Sequence, residues 1–235
     1  MILKDCDFGD LILNFSYQES MYRMFATTFS TPPTEEFVKK VASISLKYDK
    51  IDLLGYSSQY NKNWGKFLYF SSKLDAITSS GIAEIVDSVS AVHKEYIENL
   101  KIPLNEYEYQ LRTHIDRKQI LEKLSASYDG ISLNYNRSLP EDHISSEMIF
   151  MAHLRGITRY HLENDDIEGF FEAIVQQQLF YKEHIATWAH FFTYLISNIE
   201  EKISFYKQIG EIMGLFLKED TLFLQRLMMN NGGFK

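Results

Sequence analysis

LPEDHISSEMIFM, residues Leu139–Met151, marks the point where irregular chain hands over to a helix. The run before it, YDGISLNYNRS from Tyr128 to Ser138, has no helical period. Pro140 disfavours helical geometry at Leu139 and suits the residues just ahead of a helix. Asp142 is the expected N-cap, its carboxylate accepting the free N–H groups of the first turn. His143 then stands at the helix mouth, with Glu147 one turn on, close to Asp142 or His143. Ile144, Met148, Met151 and Ala152 supply an apolar face behind them. A polar cluster is therefore expected where a loop meets a buried helix.

Helical patterning continues on both sides. Downstream, the helix from Ile144 is expected to run to about Leu162, and Asn164-Asp165-Asp166 to cap another from Ile167 to about Lys182. A very aromatic helix follows with His184, Trp188, Phe191, Phe192 and Leu195. The last is expected over Ser204–Leu217, with a further turn at Leu222–Met228. Upstream, Leu11–Phe29 forms a first helix that Pro32-Pro33 stops. Thr34, Glu35 and Glu36 open a second, with Phe37, Val38, Val41 and Ile44 facing inward. Gly55–Asn63 reads as a polar break and Trp64–Ile77 as a third helical segment. Ile82, Ile85, Val86, Val89, His93, Tyr96, Ile97 and Leu100 then keep helical spacing until Pro103. Leu104–Ser127 is expected to be helical with a break near Thr113–Asp116. No period-two strand and no internal repeat is found. The expectation is an all-α fold, one compact multi-helix domain over residues 1–235, with a hinge at 128–141 between two helical halves.

Composition narrows the function. Hydrophobic residues make up 45% of the 235, enough for a thickly packed interior. A net charge of −8 argues against nucleic acid, whose phosphates call for clustered Lys and Arg. The single cysteine, Cys6, rules out an intramolecular disulfide and a cysteine-based zinc site. No run approaches the roughly 20 apolar residues of a membrane span. A cytoplasmic setting without stable membrane insertion is expected.

Catalytic and cofactor signatures are missing. None of the seven histidines follows a glutamate by three residues, as a di-iron bundle requires, and His-Glu-x-x-His is absent. No glycine-rich phosphate loop occurs. No metal, no cofactor and no enzymatic activity are expected. The stripe Phe180, His184, Trp188, Phe191 steps by four, four and three, placing all four on one helix face. It reads either as plain core or as the wall of a groove for an apolar peptide.

Four pieces of sequence, in order and in register, resemble one family. Pro140-Glu-Asp-His143 followed by Glu147-Met-Ile-Phe-Met151 is similar to the P-[DE]-D-H-x-x-x-E-[LM]-x-F-M core of the TorD/DmsD/NarJ chaperones. Tyr22-Arg-Met-Phe, Phe29 and Pro32-Pro33 are similar to the family's opening helix and its proline stop. Phe180, His184, Trp188 and Phe192 resemble its F-x-x-x-H-[LI]-x-x-W-x-x-x-[FL] helix. Phe205-Tyr206-x-x-x-Gly210, leading to Asp220, is similar to its closing helix. The P-P-x-E-S run of many members is absent, and Leu139 stands where an acidic residue is common.

The resemblance implies an all-helical, non-enzymatic chaperone of molybdoenzyme maturation. Such proteins bind the twin-arginine signal peptide of an apo molybdopterin oxidoreductase subunit and hold it for cofactor insertion before export. The implied peptide-binding residues are Pro140, Asp142 and His143, with Tyr107 and Leu111 matching an aromatic–leucine segment on the preceding helix. Physically, a receptor for two guanidinium groups beside an apolar stretch needs carboxylates and an aromatic groove. Asp142 and Glu147 suit the first, helped by Glu141, Asp165 or Asp166. His184 and Trp188 suit the second. The expected partners are the signal peptide and the apo catalytic subunit, with the chaperone a monomer or a domain-swapped homodimer. The alternatives are a metal-dependent hydrolase using His143, Glu147, His153 or His161, and a structural adaptor that packs on a partner helix.

Overall fold

The structure, a computed structural model, describes residues 8–43, 56–110, 116–131 and 139–229. Cys6, Ile44 and Leu111 lie outside the described residues, as does half of the expected hinge, residues 132–138. Nine α-helices and no strand occur among the described residues, so the all-α expectation is borne out.

Local chemistry sets the helix ends. α1 (Phe8–Ser30) stops ahead of Pro32-Pro33. α2 (Glu35–Ala42) is capped by Thr34, whose hydroxyl accepts the Phe37 N–H at 3.2 Å. α3 (Ser58–His93) starts earlier than its polar sequence suggests. Ser57 caps it, and its hydrophilic residues face water while Tyr60 and Trp64 are buried. The expected break at Gly55–Asn63 therefore ends at Ser57. At Gly81 α3 kinks (φ −160°, ψ 39°) without ending, so two expected helices are one. A π-helical turn, Lys94–Glu98, carries it toward Pro103.

Of the helix expected over Leu104–Ser127, two parts are helical among the described residues. These are α4 (Glu106–Tyr109) and α5 (Arg117–Gly130), the latter capped by Asp116. α6 (Ile144–Glu163) and α7 (Ile167–Phe180), capped by Asp166, follow as expected. The chain passes from α7 through a second π-helical turn, Tyr181–Ile185, directly into α8 (Ala186–Ser197). α9 (Phe205–Met229) is continuous where two segments were expected.

α1 packs along α6, and α9 lies against α8 and α3. Aromatic pairs tie α1 to α8 and α9: Phe29 meets Phe192 at 5.0 Å and Tyr22 meets Phe216 at 5.0 Å. Tyr128, where the expected hinge begins, is buried against Phe150 and donates to the carbonyl of Glu141 at 2.9 Å. An ionic group sits inside this apolar packing. Asp220 on α9 accepts from Arg155 of α6 and from the Tyr22 hydroxyl of α1, both at 2.6 Å and all fully buried. Arg155 also lies over the Phe15 ring at 5.6 Å, a contact that favours a desolvated guanidinium.

Candidate functional site

The junction before α6 is a tight turn. The carbonyl of the exposed Pro140 accepts from the His143 N–H at 3.2 Å and from the Ser146 hydroxyl at 2.8 Å. The N-cap is His143 rather than the expected Asp142: its backbone is extended (φ −81°, ψ 138°), and its Nδ1 accepts the Ser145 N–H at 3.1 Å. The cap moves by one residue because the Asp142 side chain turns inward and meets Arg117 instead. Accepting through Nδ1 leaves the His143 proton on Nε2, and burial pushes its pKa down to about 4. At neutral pH this imidazole is uncharged, which also suits the positive end of the helix.

A short backbone bridge brings a third segment to the junction. Glu106 donates its N–H to the Asp142 carbonyl and Ile144 donates to the Leu104 carbonyl, both at 2.8 Å. The Glu106 side chain is thereby fixed inside the molecule, 1% exposed. Its Oε2 lies 2.9 Å from His184 Nδ1, and its Oε1 accepts from Gln110 and from Thr187. His184 belongs to the π-helical turn after α7. Such a turn inserts a residue into the helix and re-aims the side chains around it.

Glu147, on the first turn of α6, is also fully buried, and its Oε2 accepts the indole N–H of Trp188 at 3.2 Å. Burial holds its carboxyl well above the usual range, and the charges of Glu106 and Asp142 add to that. Glu147 therefore holds its proton to a higher pH than an ordinary glutamic acid. Asp142 is 0% exposed and receives one hydrogen bond at its side chain, from Arg117 Nη2 to Oδ1 at 3.1 Å. Three polar atoms of this cluster are buried without a partner: Asp142 Oδ2, Glu147 Oε1 and His184 Nε2. Buried polar atoms are normally paired, so these three leave hydrogen-bonding capacity unused inside the cluster.

An aromatic ledge leads out from the cluster. Tyr109 lies against Trp188 (5.1 Å) and meets Phe191 edge-on (5.9 Å), and Phe191 stacks on Tyr194 (6.4 Å). Phe191 and Tyr194 are 57% and 61% exposed. The expected stripe is thus corrected at its last step: Phe192 faces inward behind Trp188 and Phe191 faces solvent.

Of the residues singled out in the sequence, Asp142, His143, Glu147, His184 and Trp188 come together, with Pro140 at the turn. Tyr107 sits half-buried on α4, but its neighbour Tyr109 makes the contact with Trp188. Leu111 lies outside the described residues. Asp166 caps α7 and pairs with His161 at 2.8 Å, which commits it elsewhere. Among the described residues no group of three or more His, Cys, Asp or Glu is placed to hold a metal ion. None of the described helices is long and apolar enough to cross a membrane. Glu106 and Arg117 were not foreseen. Glu106 is the first residue of the segment that suggested Tyr107 and Leu111, and its buried role was signalled by nothing in its spacing.

Residues 97–193, the part holding most of the cluster, match the family described as nitrate reductase delta subunit. Over those residues the NarJ/TorD-type match supports the resemblance to the TorD/DmsD/NarJ family. That family consists of chaperones and maturation factors, and the match supports a molybdoenzyme maturation chaperone. No curated protein and no solved structure matches the chain.

Proposed function

We propose that the protein is a cytoplasmic chaperone that binds the twin-arginine signal peptide of an apo molybdoenzyme subunit. It holds the peptide until the cofactor is inserted, and has no catalytic role. The observation that carries this reading is the cluster of Glu106, Asp142 and Glu147, with two carboxyl oxygens lacking a hydrogen-bond partner. Carboxyl groups gathered in one apolar site repel one another, and a guanidinium relieves that repulsion while supplying several N–H donors. The family match to nitrate-reductase-type maturation factors supports the same class of client. The ledge of Tyr109, Phe191 and Tyr194 offers its neighbouring surface to the apolar part of the leader.

Titration with synthetic leader peptides tests the proposal. A leader carrying both arginines should bind, replacement of both by alanine should abolish binding, and Asp142→Asn should weaken it about tenfold or more. Equal affinity for the alanine peptide would reduce the protein to a general apolar-helix binder. Absence of binding to any leader from the same cell would end the reading.

A further inference from the structure

The acidic cluster is closed. Glu106, Asp142, Glu147, His184 and Trp188 are each at most 2% exposed, so a ligand reaches none of them without displacing something. Arg117 is the group to displace. It stands at the start of α5, its side chain is 41% exposed, and its Nη2 hydrogen-bonds the fully buried Asp142 at 3.1 Å. The pairing is one-armed. Arg117 Nε is buried without a partner, and so are Asp142 Oδ2 and Glu147 Oε1. A guanidinium bound to a carboxylate ordinarily makes two parallel N–H···O bonds. Here the carboxylate offers its second oxygen and the resident arginine does not take it.

We infer that Arg117 is a built-in stand-in for the ligand's guanidinium, covering Asp142 until an incoming arginine displaces it. The inference rests on the proposed binding of an arginine-bearing peptide at this cluster. A ligand arginine that takes both Asp142 oxygens makes the two-armed contact that Arg117 lacks. Arg117 then swings into water, already half of its surroundings. Because the ligand must compete with the closed form, its apparent affinity falls by the fraction of molecules that are open. The contact thus holds an empty chaperone shut against casual cations and keeps Asp142 from standing buried and unpaired.

The test compares Arg117→Gln with the unaltered protein, using two probes: a twin-arginine leader peptide and N-acetyl-arginine amide, a bare guanidinium. Binding is followed by chemical-shift titration. Arg117→Gln should bind both probes roughly tenfold more tightly. Lys118→Gln, which loses the same charge from an exposed pair with Glu122, should not, so a general charge effect is separated. Adding Asp142→Asn to Arg117→Gln should erase the gain. Should the leader bind the unaltered protein while Arg117→Gln binds it equally or more weakly, Arg117 is a structural counter-ion and the inference falls, the proposed function standing. Should the leader fail to bind while the amide binds and gains, the stand-in is real and the proposed client is wrong. If neither probe binds either protein, both fail. Thermal melting of each variant ensures that the affinities compare folded chains.

Discussion

Trp188 donates its indole N–H to Glu147 at 3.2 Å, and neither side chain touches solvent. This one bond joins α6 to α8 and couples the protonation of a carboxyl group to the surroundings of an indole. Glu147→Gln keeps an acceptor for Trp188 and removes the ionisation. It should fold as well as the parent and be the more stable of the two at alkaline pH. Glu147→Ala leaves the indole N–H buried and unpaired, with a cavity beside it, and should cost about 2–4 kcal/mol. Urea unfolding of the two variants checks both outcomes.

Stability should depend on pH through two buried groups, for separate reasons. His143 has its pKa lowered to about 4 by burial. Its contribution is complete above the unfolded value near 6.5 and is lost as pH falls from there through about 4, a loss on the order of 3 kcal/mol. The Glu147 pKa is raised, so its contribution is complete below the ordinary carboxyl range and is lost as pH rises through the raised value. His143→Asn retains a side chain able to cap α6 and should flatten the acid limb alone. Melting temperature against pH for the parent, His143→Asn and Glu147→Gln separates the limbs.

Peptide binding should release a proton. A guanidinium placed among Glu106, Asp142 and Glu147 favours the charged form of the glutamic acid that burial keeps neutral. Affinity for a twin-arginine leader should therefore increase with pH until Glu147 is already ionised in the free protein. Calorimetry in buffers of different ionisation enthalpy measures the proton directly. Glu147→Gln should abolish the release, while the Arg-to-Ala leader should show none.

Severing the buried pair between α6 and α9 should be among the most damaging single changes. Asp220→Ala strands Arg155, already 0% exposed with Nε and Nη1 unpartnered, in an apolar core. A loss of about 3–5 kcal/mol is expected. The double variant Arg155→Met with Asp220→Leu removes both charges and should recover much of it. Denaturant unfolding of the single and double variants makes the comparison.

The helices were legible because their signals are local. Thr34, Asp116 and Asp166 cap where short polar side chains precede an apolar run, and Pro32-Pro33 stops α1 by geometry. Errors came where a neighbour outweighed the local signal. Asp142 has the chemistry of a cap, but the Arg117 guanidinium and the bridge to Glu106 draw its side chain inward and pass the cap to His143. Counting residues puts Phe191 on the face of Trp188; at that helix turn Phe192 fills the inner position and Phe191 faces solvent. The polar start of α3 hid a helix whose buried residues, Tyr60 and Trp64, are four apart. The site was half legible. Asp142, His143, Glu147, His184 and Trp188 stood out, whereas Glu106 and Arg117 gain their roles from partners 78 and 25 residues away. Nothing in single-sequence spacing carries such distances.

Tyr22, Arg155 and Asp220 belong to the first, a middle and the last helix, and their junction gives the molecule a temporal order. A nascent chain that has produced α1 and α6 but not α9 holds an arginine with no carboxylate to meet it. Drying that seam around a lone cation is unfavourable. Arrival of Asp220 neutralises Arg155, receives the Tyr22 hydroxyl and locks three helices in one step. A chain cut short before Asp220 should remain open and protease-sensitive throughout, rather than losing one helix from an otherwise finished molecule.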